Sequence, residues 1–586
     1  MHLSRISLRN FRNFSSACVE LGKNAIVVGE NKSGKSNLVY AIRLVLDNAL
    51  PESQRRLRIE DIWSGVGSSI PPDTEIEIAI DFTDFSKNKD LLGILGLYEL
   101  DESPGTARII YVCRAKDKKI GIRKDTDLDY YWYGKSTGDD GLEIEKTLRQ
   151  RIRIDVIQAL RDADKDLNNW RNSPARVLLE TALSLSEQSE LEKIAQKVSE
   201  SNKEVLAVGP IKKLDASVRD MVNGISGTHG PEGMRLGMLP ATTDKLVRAI
   251  RILIDNGTRS LGEESLGLSN VIYIGLKYLE SLELISQNER DFTLLAIEEP
   301  EAHLHPTLQR TVFSSLISGK MDAKGDEKRE ISFLLTTHSP HIVSIAKVRS
   351  LVRLARSAAG SKAYSTSKLN ISTEEEEDLA RYLDVTRGEL VFAKGIIFVE
   401  GDAERFLIPA MAALHGYELD ALGIFVCSVS GANFSPYVKL VGVNGLHIPF
   451  VVITDGDPNA QFTGAARLAK LSEIIMNRAE IDQGRQEALG LFRGRDTLEI
   501  DLVESGLRKT TIGCGAELSI GKTMKARFEA MLTTGLVDRD SLLKDINLIG
   551  KGRFAQRLSQ RISKNEPAEI PLYITNALKH LIEAMK

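Results

Sequence analysis

AIVVGENKSGKS, residues Ala25–Ser36, runs a short apolar strand into a glycine-punctuated loop, and Asn37–Leu46 behind it carries apolar residues at helical spacing. Gly29–Ser36 fits G-x-x-x-x-G-K-[ST] in the strand-then-helix setting which that pattern requires. Backbone N–H groups at such a helix start cradle phosphates. Gly29, Asn31, Ser33 and Gly34 form the cradle, Lys35 reaches the β- and γ-phosphates, and Ser36 holds Mg2+. ATP is the expected ligand.

Outward from this loop, the neighbouring segments supply a sheet. Ile6–Phe14 (ISLRNFRNF) alternates, and Glu75–Phe82 (EIEIAIDF) is a strict period-two strand. Ala107–Cys113 and Lys119–Arg123 are expected to add strands of an antiparallel lobe. From about Ile152 to Ser226 the spacing turns helical, with Ala175–Val208 as a helical hairpin that either packs on its own domain or serves dimerisation. Gly224–Gly237 reads as a loop, and Lys245–Leu354 alternates strand and helix again. Ser357–Asp378, small, polar and ending in EEEED, reads as a connection, after which a new α/β pattern begins at Lys394. The expected division is 1–150 and 236–356 for the two parts of one domain, 151–235 for a helical insertion, 357–390 for the connection and 391–586 for a second α/β domain.

The 586 residues carry 42% hydrophobic and 27% charged side chains and a net charge of −4, the composition of a soluble globular chain with no overall basic character. Any nucleic-acid surface is then a local groove. The clusters Arg55, Arg56, Arg58 and Arg149, Arg151, Arg153 read as solvated faces. Cys18, Cys113, Cys427 and Cys514 form no CxxC pair, which argues against a disulfide framework or a cysteine-rich zinc site and fits a reducing cytoplasm. No apolar run approaches the ~18 residues of a membrane span, and Met1–Phe14 reads as a strand rather than a signal peptide.

LLAIEEPEAHLHP, Leu294–Pro306, is an apolar strand ending in two acids. Glu298 stands where a carboxylate holds the Mg2+ water shell, and Glu299 where a general base polarises the attacking water. FLLTTHSP, Phe333–Pro340, is another strand, ending in His338, which is placed to sense the γ-phosphate. His303 and His305 lack the spacing and partners of a zinc site and read as structural. These motifs together resemble the SMC/RecF-like branch of ABC ATPases, and that resemblance implies ATP-driven dimerisation of the heads. It assigns Ser265 and Gly267 of SLGLSN to the γ-phosphate of a nucleotide held by a second subunit. The usual signature carries two adjacent glycines where this chain has Gly267 alone, a departure that weighs against efficient turnover.

A second constellation lies beyond the connection. In IIFVEGDAERF, Ile396–Phe406, Glu400 ends a strand and Glu404 lies four residues on; in FVVITDGDP, Phe450–Pro458, Asp455 and Asp457 follow a second strand. Strand ends of an open α/β sheet are where ligands sit. Four carboxylates there repel one another unless cations neutralise them. Mg2+ (or Mn2+) takes such hard oxygen ligands, and two ions suit phosphodiester hydrolysis. The pattern resembles the Toprim domain of topoisomerases, primases and OLD nucleases.

The whole order, with LRNFRNF, GENKSGKS, EEPEAHLHP, TTHSP, ELVFAKGIIFVEGDAE, VSGANF and ITDGD, resembles the OLD (overcoming lysogenization defect) family and the nuclease subunit of Gabija-type defence systems. The resemblance implies an α/β chain: an N-terminal ABC-type (SMC/RecF-like) P-loop ATPase with a helical insertion, then a C-terminal Toprim domain. It adds Glu517 of GAEL to the metal ligands Glu400, Glu404, Asp455 and Asp457. It also makes Lys551 of GKGRFA a lysine that stabilises charge on the phosphate, and Ser430 and Gly431 shapers of the loop beside the site. The implied function is a metal-dependent DNA endonuclease under ATPase control, in defence against phage or foreign DNA, working as a homodimer or higher oligomer and in some relatives beside a UvrD-like helicase. The alternative is an ATP-dependent DNA clamp or repair protein with an inactive Toprim domain, which the four acids disfavour. A topoisomerase would need a tyrosine nucleophile domain and a DNA gate, and neither can be discerned in the chain.

Overall fold

A computed structural model describes residues 1–67, 70–117, 119, 121–136, 141–158, 163–171, 173–184, 188–226, 235–238, 241–260, 265–302, 304–317, 331–458, 463–476, 482–564 and 568–586. Three sheets organise it. The first is antiparallel and starts from the alternating N-terminus: His2–Phe11 pairs on one side with Phe14–Glu20 and on the other with Glu75–Thr83, which pairs with Ser103–Ala115 and then Leu128–Gly134. The second is built on the P-loop strand Ala25–Gly29. Its order is Gly360–Ser365, Leu351–Ser357, Ala25–Gly29, Ile331–Thr337, Phe292–Glu298, Ile152–Ile157, all parallel except the first.

The helix Lys35–Leu46 lies between these sheets. Leu38, Val39, Ala41, Ile42, Leu44, Val45 and Leu46 are all buried, so it is apolar nearly all round, as a helix sandwiched between two layers must be. Its apolar contacts run without a break from Ile6 and Phe82 in the first sheet to Ala296 and Leu334 in the second.

The third sheet is four-stranded and parallel, in the order Ile424–Ser428, Gly395–Val399, Phe450–Thr454, Leu491–Arg493. The chain leaves the Gly395–Val399 strand for one neighbour and returns to the other. The crevice beyond Val399 and Thr454 is therefore a topological switch point, where open α/β sheets take ligands. One apolar cluster joins the second sheet to this one through Val28, Leu335, Ile342, Leu390, Ile396 and Phe398. No helix among the described residues is long and apolar enough to cross a membrane.

Several expectations are corrected. Residues 119 and 121–123 form no strand. Gly121 takes φ +73°, and the Asp127 carboxylate accepts the Arg123 and Lys124 amides, so the segment is a turn and the next strand starts at Leu128. The Ser357–Asp378 stretch is not an open connection. It forms a hairpin over Gly360 and then a helix, Thr373–Tyr382, whose acids sit in a first turn capped by Ser372. The helix Gly209–Ser226 takes up the start of the expected loop; residues 227–234 and His303 lie outside the described residues.

The second arginine cluster is not a solvated face. Arg149 is buried, its guanidinium lies 3.8 Å from the Trp132 ring centroid, and its Nε donates to Val45 O at 2.9 Å. Arg151 pairs with Asp291 at 2.7 Å.

Candidate active site

Two groups of functional side chains stand at the carboxyl ends of the two parallel sheets. In the first, Gly34 at φ +106° turns the P-loop into the helix. A Cβ on it would lie 2.2 Å from Asn13 Nδ2, so only glycine fits. Asn13 braces the loop by donating to Ser33 O at 3.0 Å, and Arg12 holds Asn37 at 2.8 Å and stacks 4.4 Å from the Tyr40 ring centroid. This gives LRNFRNF a concrete task, clamping the phosphate loop from the first hairpin.

Ser33 is buried under the loop, whereas Asn31 and Ser36 are exposed. Lys35 is 6% exposed, and its Nζ donates to Gly29 O at 2.9 Å and Glu30 O at 3.1 Å. Burial pulls its pKa down, against the pull of Glu299 and Glu301. Glu298 is pushed up by burial, relieved by the Ser36 hydroxyl that donates to it. That bond puts the two oxygens expected around Mg2+ side by side.

Glu299 sits at φ +44°, a strained conformation for glutamate, with its N–H on Thr336 O at 2.8 Å. His338 Nε2 lies 3.7 Å from Glu299 Oε1, and its pKa is lowered by burial and then by Lys35, which keeps the ring neutral. The sequence reading missed Glu301, which fixes this corner by accepting the His338 amide at 2.6 Å. Ser265 caps the helix Leu266–Ser286 through the Leu268 amide at 3.4 Å, and Gly267 is buried in its first turn. Replacing Lys35 with alanine is expected to weaken ATP binding by at least roughly 100-fold in calorimetry, and unchanged binding would sink the P-loop assignment.

The second group is built by register. Ile396, Ile397 and Phe398 pair with Phe450, Val451 and Val452, so Glu400 and Asp455 emerge side by side. The Asp455 amide donates to Glu400 Oε1 at 2.9 Å, and the Thr454 hydroxyl donates to the same oxygen. Asp457 takes φ +41°. Glu404, in the first turn of the helix Asp402–Leu414, is pushed up by burial and then by Glu400 and Glu499. The Asp455 carboxyl is pushed up to about 9, by burial first and then by Glu404, Glu400, Glu499 and Asp457.

Lys551 Nζ lies 3.0 Å from Glu499 Oε1. Burial works against its charge, but Glu499, Asp455 and Glu404 prevail and raise its pKa. The Arg467 guanidinium, 6% exposed, bridges Glu400 and Asp457 and donates to Thr454 Oγ1 at 2.7 Å.

The two groups are mechanically joined. Lys394, just before the Gly395–Val399 strand, lies 3.7 Å from Glu30 in the P-loop. Beyond His338, Pro340 O sits 3.0 Å from where a Cβ on Gly388 would be. Next to it, Arg387 donates to Ser428 O at 2.9 Å and Ser430 Oγ at 2.5 Å, while Gly431 N donates to Glu400 O at 2.9 Å.

Comparison with known proteins bears on both halves. The family described as "AAA ATPase domain" matches residues 1–137 and 143–343, and the one described as "Overcoming lysogenization defect protein-like, TOPRIM domain" matches residues 391–457. The chain belongs to the OLD family. An ATPase region with α/β sheets precedes a Toprim domain. OLD nuclease of Thermus scotoductus is 23% identical over 78% of this chain and 82% of that protein. Endonuclease GajA of Bacillus cereus is 21% identical over 78% and 75%. The solved C-terminal region of the Burkholderia pseudomallei OLD protein is 41% identical, covering 33% of this chain and all of that one, with a TM-score of 0.30.

For this OLD-family chain, Glu517 is not among the gathered carboxylates. It lies on the outer side of the helix Arg508–Leu518, held by Arg557 at 2.7 Å and Arg561 at 2.8 Å. Those two arginines lower its pKa. The acid that does join the cluster is Glu499, in the helix Leu498–Glu504, at 6% exposure. Its Oε2 is buried with no hydrogen-bond partner, as is the nearby Thr497 Oγ1. In LEIDLVE, acids recur within an otherwise apolar helix, and that was the available signal.

Among the described residues, no three carboxylate, imidazole or thiol groups close around one point. A guanidinium stands where a cation would between Glu400 and Asp457. The donor set still fits a hard divalent cation: Glu499 is buried and Glu404 and Asp455 are half-buried, three oxygen ligands short of positive charge, and one of them holds an orphaned oxygen.

Proposed function

We propose that this chain is a metal-dependent DNA endonuclease whose Toprim site hydrolyses phosphodiester bonds under the control of its ATPase domain. The observation that carries this reading is Asp455, a carboxyl surrounded by Glu400, Glu404, Asp457 and Glu499 and pushed up to about 9 by burial and those neighbours. Such a cluster is costly unless divalent cations are its ligand. Glu404, Asp455 and Glu499 would hold one cation, with Glu400 and Asp457 as the further pair. Bound there, divalent cations supply Lewis acidity to a phosphoryl oxygen and a nucleophilic water at neutral pH.

The chain's own groups do the rest. Lys551, held charged by Glu499, meets the negative charge that builds on the phosphate. Thr454 and the Asp455 amide orient the Glu400 carboxylate. In the ATPase half, Ser36 and Glu298 are disposed for Mg2+, Glu299 for water and His338 for the γ-phosphate. Contacts Lys394 to Glu30 and Pro340 to Gly388 support coupling of nucleotide state to the Toprim loop.

Ser265 and Gly267 would complete a nucleotide site on a second copy, so a homodimer or higher homo-oligomer belongs to the same reading. The names of OLD nuclease and endonuclease GajA among the relatives support DNA as the substrate. A role in defence against phage or foreign DNA is part of the same proposal and rests on the family resemblance alone.

The test is cleavage of supercoiled plasmid by the full chain with Mg2+, Mn2+ or EDTA. Wild type is expected to cut with metal and stay silent in EDTA, and the folded Asp455→Ala/Asp457→Ala variant to be silent throughout. Equal cutting by wild type and the folded variant would remove the Toprim site from the mechanism.

A further inference from the structure

Among the described residues, Arg467 is the one cation placed inside the carboxylate cluster that the catalytic reading leaves without a task. It lies in the first turn of the helix Gly464–Met476, which begins seven residues beyond the Asp455-Gly456-Asp457 turn in the chain. That helix is pressed onto the turn: Gly464 N donates to Gly456 O at 3.0 Å, and a Cβ on Gly464 would lie 2.0 Å from Asp455 O. Arg467 therefore arrives with little freedom of its own. One terminal nitrogen donates to Glu400 Oε1 and to Thr454 Oγ1, at 2.7 Å for the latter, and the other donates to Asp457 Oδ2.

The cluster divides in consequence. Glu400 and Asp457 are neutralised from within by a planar fork, the geometry that suits carboxylate pairs. Asp455, Glu404 and Glu499 are left with Lys551 as their cation, and it lies on Glu499.

Resting on the metal-dependent reading above, we propose that Arg467 is an internal counter-cation that stands in for one divalent ion. In the DNA-free chain it closes the Glu400–Asp457 pair, so that a single divalent cation binds, on the Asp455–Glu404–Glu499 side. The second cation enters only when the guanidinium leaves that pair, and a phosphate of the substrate backbone is the group chemically suited to draw it away, because the same fork binds phosphate. Arg467 is thus a positioning residue that ties completion of the metal site to the presence of substrate. It also spares the free protein the repulsion that an unpaired Glu400 and Asp457 would add to the cluster.

The experiment is Mn2+ titration of the nucleotide-free, DNA-free full chain by calorimetry, counting ions beyond those retained by the Asp455→Ala/Asp457→Ala variant. Wild type is expected to bind one Mn2+ and Arg467→Gln two, and Arg467→Gln should melt lower than wild type in EDTA but regain more than wild type does on adding Mn2+. Two ions in both proteins, or one in both with Arg467→Gln folded, would overturn the role of Arg467 and leave metal dependence standing. No Mn2+ bound by either would overturn the metal reading itself and this inference with it. Should Arg467→Gln fail to fold, Arg467→Lys decides, since it keeps the charge and loses the fork. A second Mn2+ site bound at least roughly tenfold more tightly than in wild type supports the inference, and wild-type titration behaviour overturns it.

Discussion

Asp455→Asn is expected to lose DNA cleavage by roughly 10³-fold or more and, in EDTA, to be more stable than the wild type. The two effects share one cause. Asp455 lies at the end of a buried strand, its carboxyl among Glu404, Glu400, Glu499 and Asp457, and its pKa moves from 3.8 to about 9. A displacement of that size is worth several kcal/mol of unfavourable charge burial at neutral pH. Asparagine keeps the shape of the protonated carboxyl and cannot ionise, so the cost of holding that proton disappears as the ligand is lost. This is the trade of stability for activity expected where a site is held in readiness for a ligand.

The sign with pH follows. Between about 3.8 and about 9 the folded chain retains a proton on Asp455 that the unfolded chain has released. Metal-free wild type therefore loses stability as pH rises through that window, and Asp455→Asn is spared that loss. Added Mn2+ should reverse the order by stabilising wild type and leaving the variant largely unmoved, since metal binds the deprotonated form. Thermal melts at several pH values, with EDTA and with Mn2+, measure all three. A variant less stable than wild type in EDTA at pH 8 would show that Asp455 does not hold its proton at a cost to folding.

The legibility of this molecule in its sequence follows the range over which each feature is encoded. The P-loop, the Glu298-Glu299 pair, His338, and the turns carrying Glu400 and Asp455 each combine an apolar strand with polar residues at its end. Strand, turn and chemistry thus fall within one short window, and period-two or apolar runs place them at a sheet edge. The same holds for the helix Lys35–Leu46, apolar nearly all round because two sheets enclose it.

Features set by packing between distant segments were not legible. The polar stretch after Ser357 turns into a hairpin because it completes the edge of the second sheet at Leu351–Ser357, a partner no local pattern reveals. Arg149 resembled a surface charge and is buried on Trp132, which comes from the strand Leu128–Gly134. Arg467 sits inside an ordinary amphipathic helix, and only the register of that helix against the Asp455-Gly456-Asp457 turn sends it into the site.

The same limit governs the fifth acid, where the largest disagreement between sequence and structure can be measured. Glu499→Gln is expected to lower cleavage by roughly 10²- to 10³-fold, whereas Glu517→Gln should leave it within about threefold. Glu499 is buried beside Asp455 and Glu404, salt-bridged to Lys551 at 3.0 Å on one oxygen and without a partner on the other. Glutamine there removes a metal-side charge and also loosens Lys551, whose pKa is raised chiefly by Glu499 against the cost of burial.

Glu517 instead closes an ion-pair network with Arg557 and Arg561 on the surface of the neighbouring helix. Exposed pairs of that kind contribute little in water, so its loss should register as a small change in melting temperature and not in kcat. The helix Lys551–Ile562 explains the separation: Lys551 is its first residue and reaches the acids, while Arg557 and Arg561 lie one and a half to three turns further along and reach Glu517. Single-turnover cleavage with saturating Mn2+ separates the two variants. Equal activity in both would remove Glu499 from the site, and a large loss in Glu517→Gln with Glu499→Gln active would place the metal on the other side of that helix.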